Sequence, residues 1–220
     1  MFVWSLPSED PQGFKPLEVF DQDKTRMCEA CAVTSIAELA HSKLFEPSYT
    51  LAKACQIKGT TKGGITMSQI SEAVKRGFLP KDLAPYSLQN DGIDFVSNWS
   101  NWPSTLETEA KKYAPKRVER VWGIYPTFEL ICGALMKHPV LLGVYWQQEW
   151  EKEPDGIVTS AHQNLKLFPH AVVAIGQKTI NGTVYLEILN SFGLDSGKNG
   201  RFYLPRKVNH LLLEPKVLIF

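Results

Sequence analysis

At 220 residues, with 44% hydrophobic and 11% aromatic side chains, the chain is long enough for one domain, or two joined lobes, around a full core, and too aromatic for a disordered segment. It carries 24 basic and 23 acidic side chains, a net charge of +1, which gives no electrostatic case for binding nucleic acid and no single-sign arm for a charged partner. No uninterrupted apolar run approaches the ~18 residues of a membrane span, and the start, MFVWSLPSEDPQGFK, lacks the basic and apolar regions of an export signal. A cytoplasmic location without membrane association is therefore expected, and the triplets Asn98-Trp99-Ser100 and Asn181-Gly182-Thr183 read as coincidental glycosylation patterns.

From Cys28 to Ala40 nearly every residue is apolar or small, with Glu29 and Glu38 the only charges. Such a segment predicts a helix buried on most of its surface. Pro47 to Ile57 predicts a second helix that runs into Gly59. Thr66 to Arg76 predicts a third, with Thr66 and Gln69 at capping-box spacing, Ile70, Ala73 and Val74 on one face, and Gly77 as its stop. Lys81 to Pro115 is poorly periodic and rich in Asn, Ser, Pro and Trp, and reads as a long ordered surface connection.

One more helix is expected from Thr127 to Lys137, ahead of Pro139. Then come β-type runs at Val140–Trp146, Ala171–Gly176, Thr183–Leu189 and Arg201–Leu204, with Asn181-Gly182 a strong hairpin signal between two of them. Helices first and antiparallel strands second predict an α+β chain, residues 1–220 forming one domain. Its helical lobe would span about 20–115 and its β lobe about 116–210, with the helix at Cys28 facing the sheet.

Four cysteines (Cys28, Cys31, Cys55, Cys132) are few for a disulfide-stapled secreted domain, and a reducing compartment fits better. Cys28 and Cys31 form a C-x-x-C, but no second such pair and no H-x-x-x-H exists to complete a zinc tetrahedron; no metal or other cofactor is implied.

Cys28 falls where the first helix begins, where the helix dipole favours a thiolate. His170 opens an apolar strand-like run, and Asn190 ends the strand after the hairpin, where its amide can hold an imidazole tautomer. Gln22, six residues before Cys28, can turn a side-chain N–H toward a developing oxyanion, together with the Cys28 backbone N–H. Nucleophile, base, orienter and oxyanion donor are thus all present. Cys31 is the rival nucleophile, but Thr25 stands six residues before it and it sits a full turn inside the helix. His162 is the rival base and reads as a loop residue. His41, His138 and His210 sit near predicted element ends and read as surface caps, while Trp99, Trp102, Trp146 and Trp150 read as packing residues.

At these positions the chain resembles the papain-like cysteine peptidases. The resembling blocks are Gln22-x5-Cys28-x-Ala30, Gly63-Gly64 before a helix, Ala84-Pro85-Tyr86, Pro169-His170-Ala171 through Gly176, and Asn190-Ser191-Phe192-Gly193 followed by Gly197-Lys198-Asn199-Gly200. They occur in the family's order from about Gln22 to Leu204, and His170 follows Cys28 at the roughly 130–150 residue separation of papain and cathepsins. The resemblance implies a two-lobe fold, helical lobe first and antiparallel β-barrel-like lobe second, with the active site in the cleft between. It implies hydrolysis of protein or peptide substrates by Cys28, His170, Asn190 and Gln22, a substrate cleft lined by Gly63 and Gly64, and a pocket for which Ile65, Thr66 and Ala171 are the expected positions. Glu29, which departs from the family, is expected to bind substrate if it points into the cleft.

The departures are as informative. Glu29 stands where the family has Trp after the nucleophile, so it would raise the Cys28 pKa or shape substrate preference. Phe192 replaces the Trp that covers the Asn–His pair, and Thr25 replaces a cysteine, so the family's usual disulfide there cannot form. The 220 residues match the mature domain without an inhibitory propeptide, which implies control by localisation, by narrow specificity or by release from a precursor, as for a viral or phage product. Two alternatives remain: acyl or amide transfer on the same Cys-His site, and an inert binding module of the same fold. The oligomeric state is left open.

Overall fold

The computed structural model describes residues 13–61, 64–121, 127–159, 161 and 166–220. Helices come first: α1 (Cys28–His41), α2 (Pro47–Lys58), α3 (Met67–Ala73), α4 (Leu88–Asp91), α5 (Ile93–Val96) and α6 (Leu106–Lys111). Then follow β1 (Arg117–Arg120), α7 (Phe128–Leu135), β2 (Val140–Gln147), β3 (Leu167–Ile180), β4 (Thr183–Leu189), β5 (Arg201–Pro205) and β6 (Leu212–Ile219). Among the described residues no helix is long and apolar enough to cross a membrane.

The local signals act as the sequence predicts. The Thr66 hydroxyl accepts from Gln69 N–H at 3.2 Å while the Gln69 side chain accepts from Thr66 N–H at 2.9 Å, so two unpaired donors at the start of α3 are satisfied reciprocally. Gly59 ends α2 at φ 77°, a left-handed conformation that glycine adopts without a Cβ clash. Asn181 (φ 48°) and Gly182 (φ 77°) make the two-residue turn that joins β3 to β4, with Ile180 opposite Thr183.

The six strands form one antiparallel sheet in the order β1-β6-β2-β3-β4-β5, open at both ends rather than closed as a barrel. Side chains alternate across it with period two. Leu141, Ala171, Val173 and Ile175 join the core built around α1, whereas Leu142, Val144, Trp146, Val172 and Ala174 join a second core with α7. Because α1 contributes Ala30, Ala32 and Ala37 as well as Val33 and Ile36, its backbone can approach β3 closely, and burying a side chain such as Ile36 contributes about 1.5–3 kcal/mol.

The structure departs from expectation at β1, at β6, over residues 81–115 and at His41. β1 and β6 were not anticipated, and β6 extends the β portion beyond residue 210, because Glu214-Pro215-Lys216 breaks the alternation that marks a strand. Residues 81–115 are no mere connection: they carry α4, α5 and α6 and help build a third core of Tyr49, Ala52, Leu79, Val96, Trp102 and Ala110, in which the Trp102 indole N–H donates to Val96 O at 2.8 Å. His41 is no surface cap, since its ring packs edge-on against Phe45, Tyr113 and Phe220.

Candidate active site

A cavity of about 770 Å³ lies between the N-terminus of α1, the start of α3 and strands β2, β3 and β6. Cys28 is the first residue of α1, where unpaired backbone N–H groups and the helix dipole favour negative charge; Met27 before it offers no side-chain cap. His170 lies opposite Val144 on β3, on the face shared by Phe168 and Trp146. Both Cys28 and His170 line the cavity.

His170 Nε2 lies 2.7 Å from Asn190 Oδ1, and the same Oδ1 accepts the Ser191 backbone N–H at 2.8 Å. A backbone N–H only donates, so that atom is the amide oxygen and His170 Nε2 must carry the proton. Nδ1 is then the nitrogen with a lone pair to offer. Phe192 stacks on the imidazole at 4.7 Å and 19°, and Trp146 meets it edge-on at 5.4 Å. Phe192, which replaces the family's covering Trp, thus lies over the ring that makes this hydrogen bond. Burial pushes the His170 pKa down to about 4, against a smaller upward pull from Asn190, so the ring is neutral across the physiological range.

Gln22 is held from two sides. Its Nε2 donates to Thr25 O at 2.7 Å, and its Oε1 accepts from the Ser191 hydroxyl at 2.5 Å. The backbone beneath pairs too, with Gln22 N–H donating to Ser191 O at 2.9 Å and Gly193 N–H to Phe20 O at 3.0 Å. Ser191 therefore touches both Gln22 and Asn190, a link not anticipated from the sequence, where it was only a letter between Asn190 and Phe192.

The Cys28 thiol donates to Glu29 Oε2 at 3.2 Å, and among the described residues no hydrogen bond joins it to His170. Burial first, and the Glu29 charge second, push the thiol far above the ordinary cysteine range, while a backbone N–H from Ala171 pulls it back. Glu29 is itself raised by burial, opposed by its own N–H, the thiol and Lys58. Both groups are thus biased toward their neutral forms.

The remaining expected site residues fall as follows. Gly64, Ile65, Thr66 and Ala171 line the cavity with Glu29, while Gly63 and the rival base His162 lie outside the described residues. Cys31 is 2% exposed and belongs to a separate cavity with Glu46 and Met27, away from the cleft. Sequence reading missed Leu213 and Glu214 in the lining, since β6 was not recognised, and Gly143 on the predicted strand β2, which enters the lining where it pairs with Leu213. It also missed Lys216, whose Nζ donates to Met67 O at 2.9 Å and Ser71 Oγ at 3.0 Å and so ties β6 to α3 across one edge of the cleft.

A model of the papain family of cysteine proteases matches residues 17–219. No curated protein matches the chain by sequence. Among solved structures, the cysteine protease xylellain from Xylella fastidiosa is similar, with a TM-score of 0.82 and 18% identity over 98% of this chain and 87% of that one. Procathepsin B S9 from Trypanosoma congolense gives 0.71 at 16% identity over 96% and 78%. The bromelain protease from Ananas comosus gives 0.66 at 17% identity over 93% and 94%.

Proposed function

Since the chain belongs to the papain family of cysteine proteases, we propose that it cleaves peptide bonds with Cys28 as nucleophile, His170 as base and acid, Asn190 as the orienter of His170, and Gln22 in the oxyanion hole. The observation that carries this reading is one cleft lined by both Cys28 and His170, with His170 Nε2 held at 2.7 Å by Asn190.

The thiol proton passes from Cys28 Sγ to His170 Nδ1, and the thiolate attacks the substrate carbonyl. Burial disfavours each ion alone, but two opposite charges formed together largely offset that cost. The oxyanion is met by the Cys28 backbone N–H and by the second Nε2 hydrogen of Gln22, the first being committed to Thr25. His170 then protonates the leaving amine, and water hydrolyses the thioester. Gly64, Ile65, Thr66 and Ala171 form the walls along which the peptide lies, with Gly63 expected beside them. All four cysteines are buried and none is disulfide-bonded, which supports action in a reducing compartment such as the cytoplasm.

Ser191 serves as a positioning residue here. Ser191→Ala removes the hydroxyl that holds Gln22 Oε1 but keeps the backbone N–H to Asn190, so kcat is expected to fall about tenfold, near one hydrogen bond's worth, with KM and the pH profile unchanged. A shifted acid limb in that profile would place the defect at His170 instead.

An inert module of the same fold is the second reading, and the Cys28–Glu29 hydrogen bond is what favours it. An epoxysuccinate reagent separates the two. Labelling of Cys28 at neutral pH, located by mass spectrometry, supports the enzyme; an unlabelled Cys28 with no peptide cleavage supports the module. Adding an amine acceptor and analysing products distinguishes hydrolysis from acyl transfer.

A further inference from the structure

Glu29 stands in the cleft with the weakest of partners for a carboxylate. Its Oε2 accepts from a thiol, a poor donor, at 3.2 Å. The other groups acting on it are its own backbone N–H and Lys58, whose Nζ is bound to Gly64 O at 2.8 Å. The charged and titratable groups that share the cavity wall are Asp23, Lys24 and Arg26 before α1, His170 on β3 and Glu214 on β6. A cation that reaches Glu29 would form a charge-assisted hydrogen bond, roughly twice as strong as a neutral one, and would displace the thiol from it.

Resting on the reading of Cys28 as nucleophile, we propose that Glu29 is the specificity-determining residue of this cleft: it takes the ammonium or guanidinium of a lysine or arginine flanking the scissile bond, and in doing so releases the Cys28 thiol to His170. The distances fit. A nitrogen ~2.8 Å from Glu29 Oε2 stands no more than about 6 Å from the sulphur, within reach of a side chain on a residue adjoining the attacked carbonyl. Engagement neutralises the charge that opposes a thiolate at Cys28 and removes the competing acceptor for its proton. Cationic substrates therefore gain in kcat as well as in KM, and neutral peptides meet a thiol still held by Glu29.

The test uses the purified chain, fluorogenic peptides that differ only at the residues flanking the scissile bond (Lys, Arg, Leu, Gln), and iodoacetamide as an uncharged probe of Cys28. Wild type is expected to favour Lys and Arg at one flanking position by at least ~10-fold in kcat/KM, a difference that one charge-assisted contact supplies. In Glu29→Gln the preference should fall to within about twofold, while neutral-peptide turnover and the iodoacetamide rate both rise. Glu29→Asp keeps the charge on a shorter arm; it should retain the preference and still alkylate faster, which serves if Glu29→Gln does not fold. Wild type without a cationic preference, or a folded Glu29→Gln that retains one, overturns the proposal. If Cys28→Ala keeps turnover, the nucleophile reading itself fails; if it loses turnover while Glu29→Gln keeps its preference, only the role of Glu29 fails.

Discussion

Cys28→Ala is expected to lower peptide hydrolysis by roughly 10⁶-fold, the scale on which losing a nucleophile acts, while the unfolding free energy moves by less than ~1 kcal/mol. The two effects separate because of where the sulphur lies. At 8% exposure it borders the cleft, so truncation widens an existing space rather than opening a closed void. The one side-chain hydrogen bond lost is the weak donation to Glu29, and with it goes the burden of a thiol crowded against a carboxylate. Cys31 cannot substitute. It is 2% exposed, is pushed far above the usual thiol range by burial, and sits one helical turn further in. Cys31→Ala should accordingly retain turnover. Hydrolysis above about one per cent of wild type in purified, folded Cys28→Ala would remove Cys28 from the mechanism.

Much of this arrangement was legible in the sequence because it rests on local signals. The boundaries of α1 and α2 follow from an apolar run and from Gly59, and the turn at Asn181-Gly182 needs two left-handed residues that this dipeptide supplies. The candidate site was proposed on related grounds: Cys28 opens α1 and Asn190 follows β4, each a polar residue beside an apolar run, whereas His170, inside β3, and Gln22, outside any helix or strand, stood out only through the order and spacing of the set. What escaped was set by tertiary partners. β6 carries Glu214 at positive φ followed by Pro215, so its pattern is broken, and its strand character comes from pairing with β1 and β2. Residues 81–115 fold around Trp102 and Tyr49, which lie far apart in the chain. Glu29 was visible as an oddity beside Cys28, the proposed nucleophile. Only the geometry shows that its carboxylate holds the thiol hydrogen, which turns a question about pKa into one about substrate charge.

A second large effect lies at the other end of α1. Glu38 is 1% exposed, and its Oε1 accepts the Phe45 backbone N–H at 3.0 Å. Burial, reinforced by the neighbouring Glu18, pushes its carboxyl up to about 8, while the Phe45 N–H first and then Lys81, 2.7 Å from Glu18, pull the other way. An acid whose folded pKa is raised contributes its full stability below the unfolded value near 4.5 and loses it as pH climbs through the folded value. The window is thus pH 4.5 to 8, and at 1.36 kcal/mol per unit the loss across it is of order 3–5 kcal/mol. Glu38→Gln keeps an oxygen for Phe45 and puts a neutral amide in place of the titrating carboxyl, so it should match wild type near pH 5 and exceed it by several kcal/mol near pH 8.5. His170, held neutral in the fold and protonated when unfolded below its ordinary pKa, destabilises both proteins alike at acid pH and cancels in the difference. Urea denaturation of both proteins at the two pH values gives that difference directly. A variant whose stability falls in parallel with wild type between them would show that Glu38 ionises in the fold without penalty.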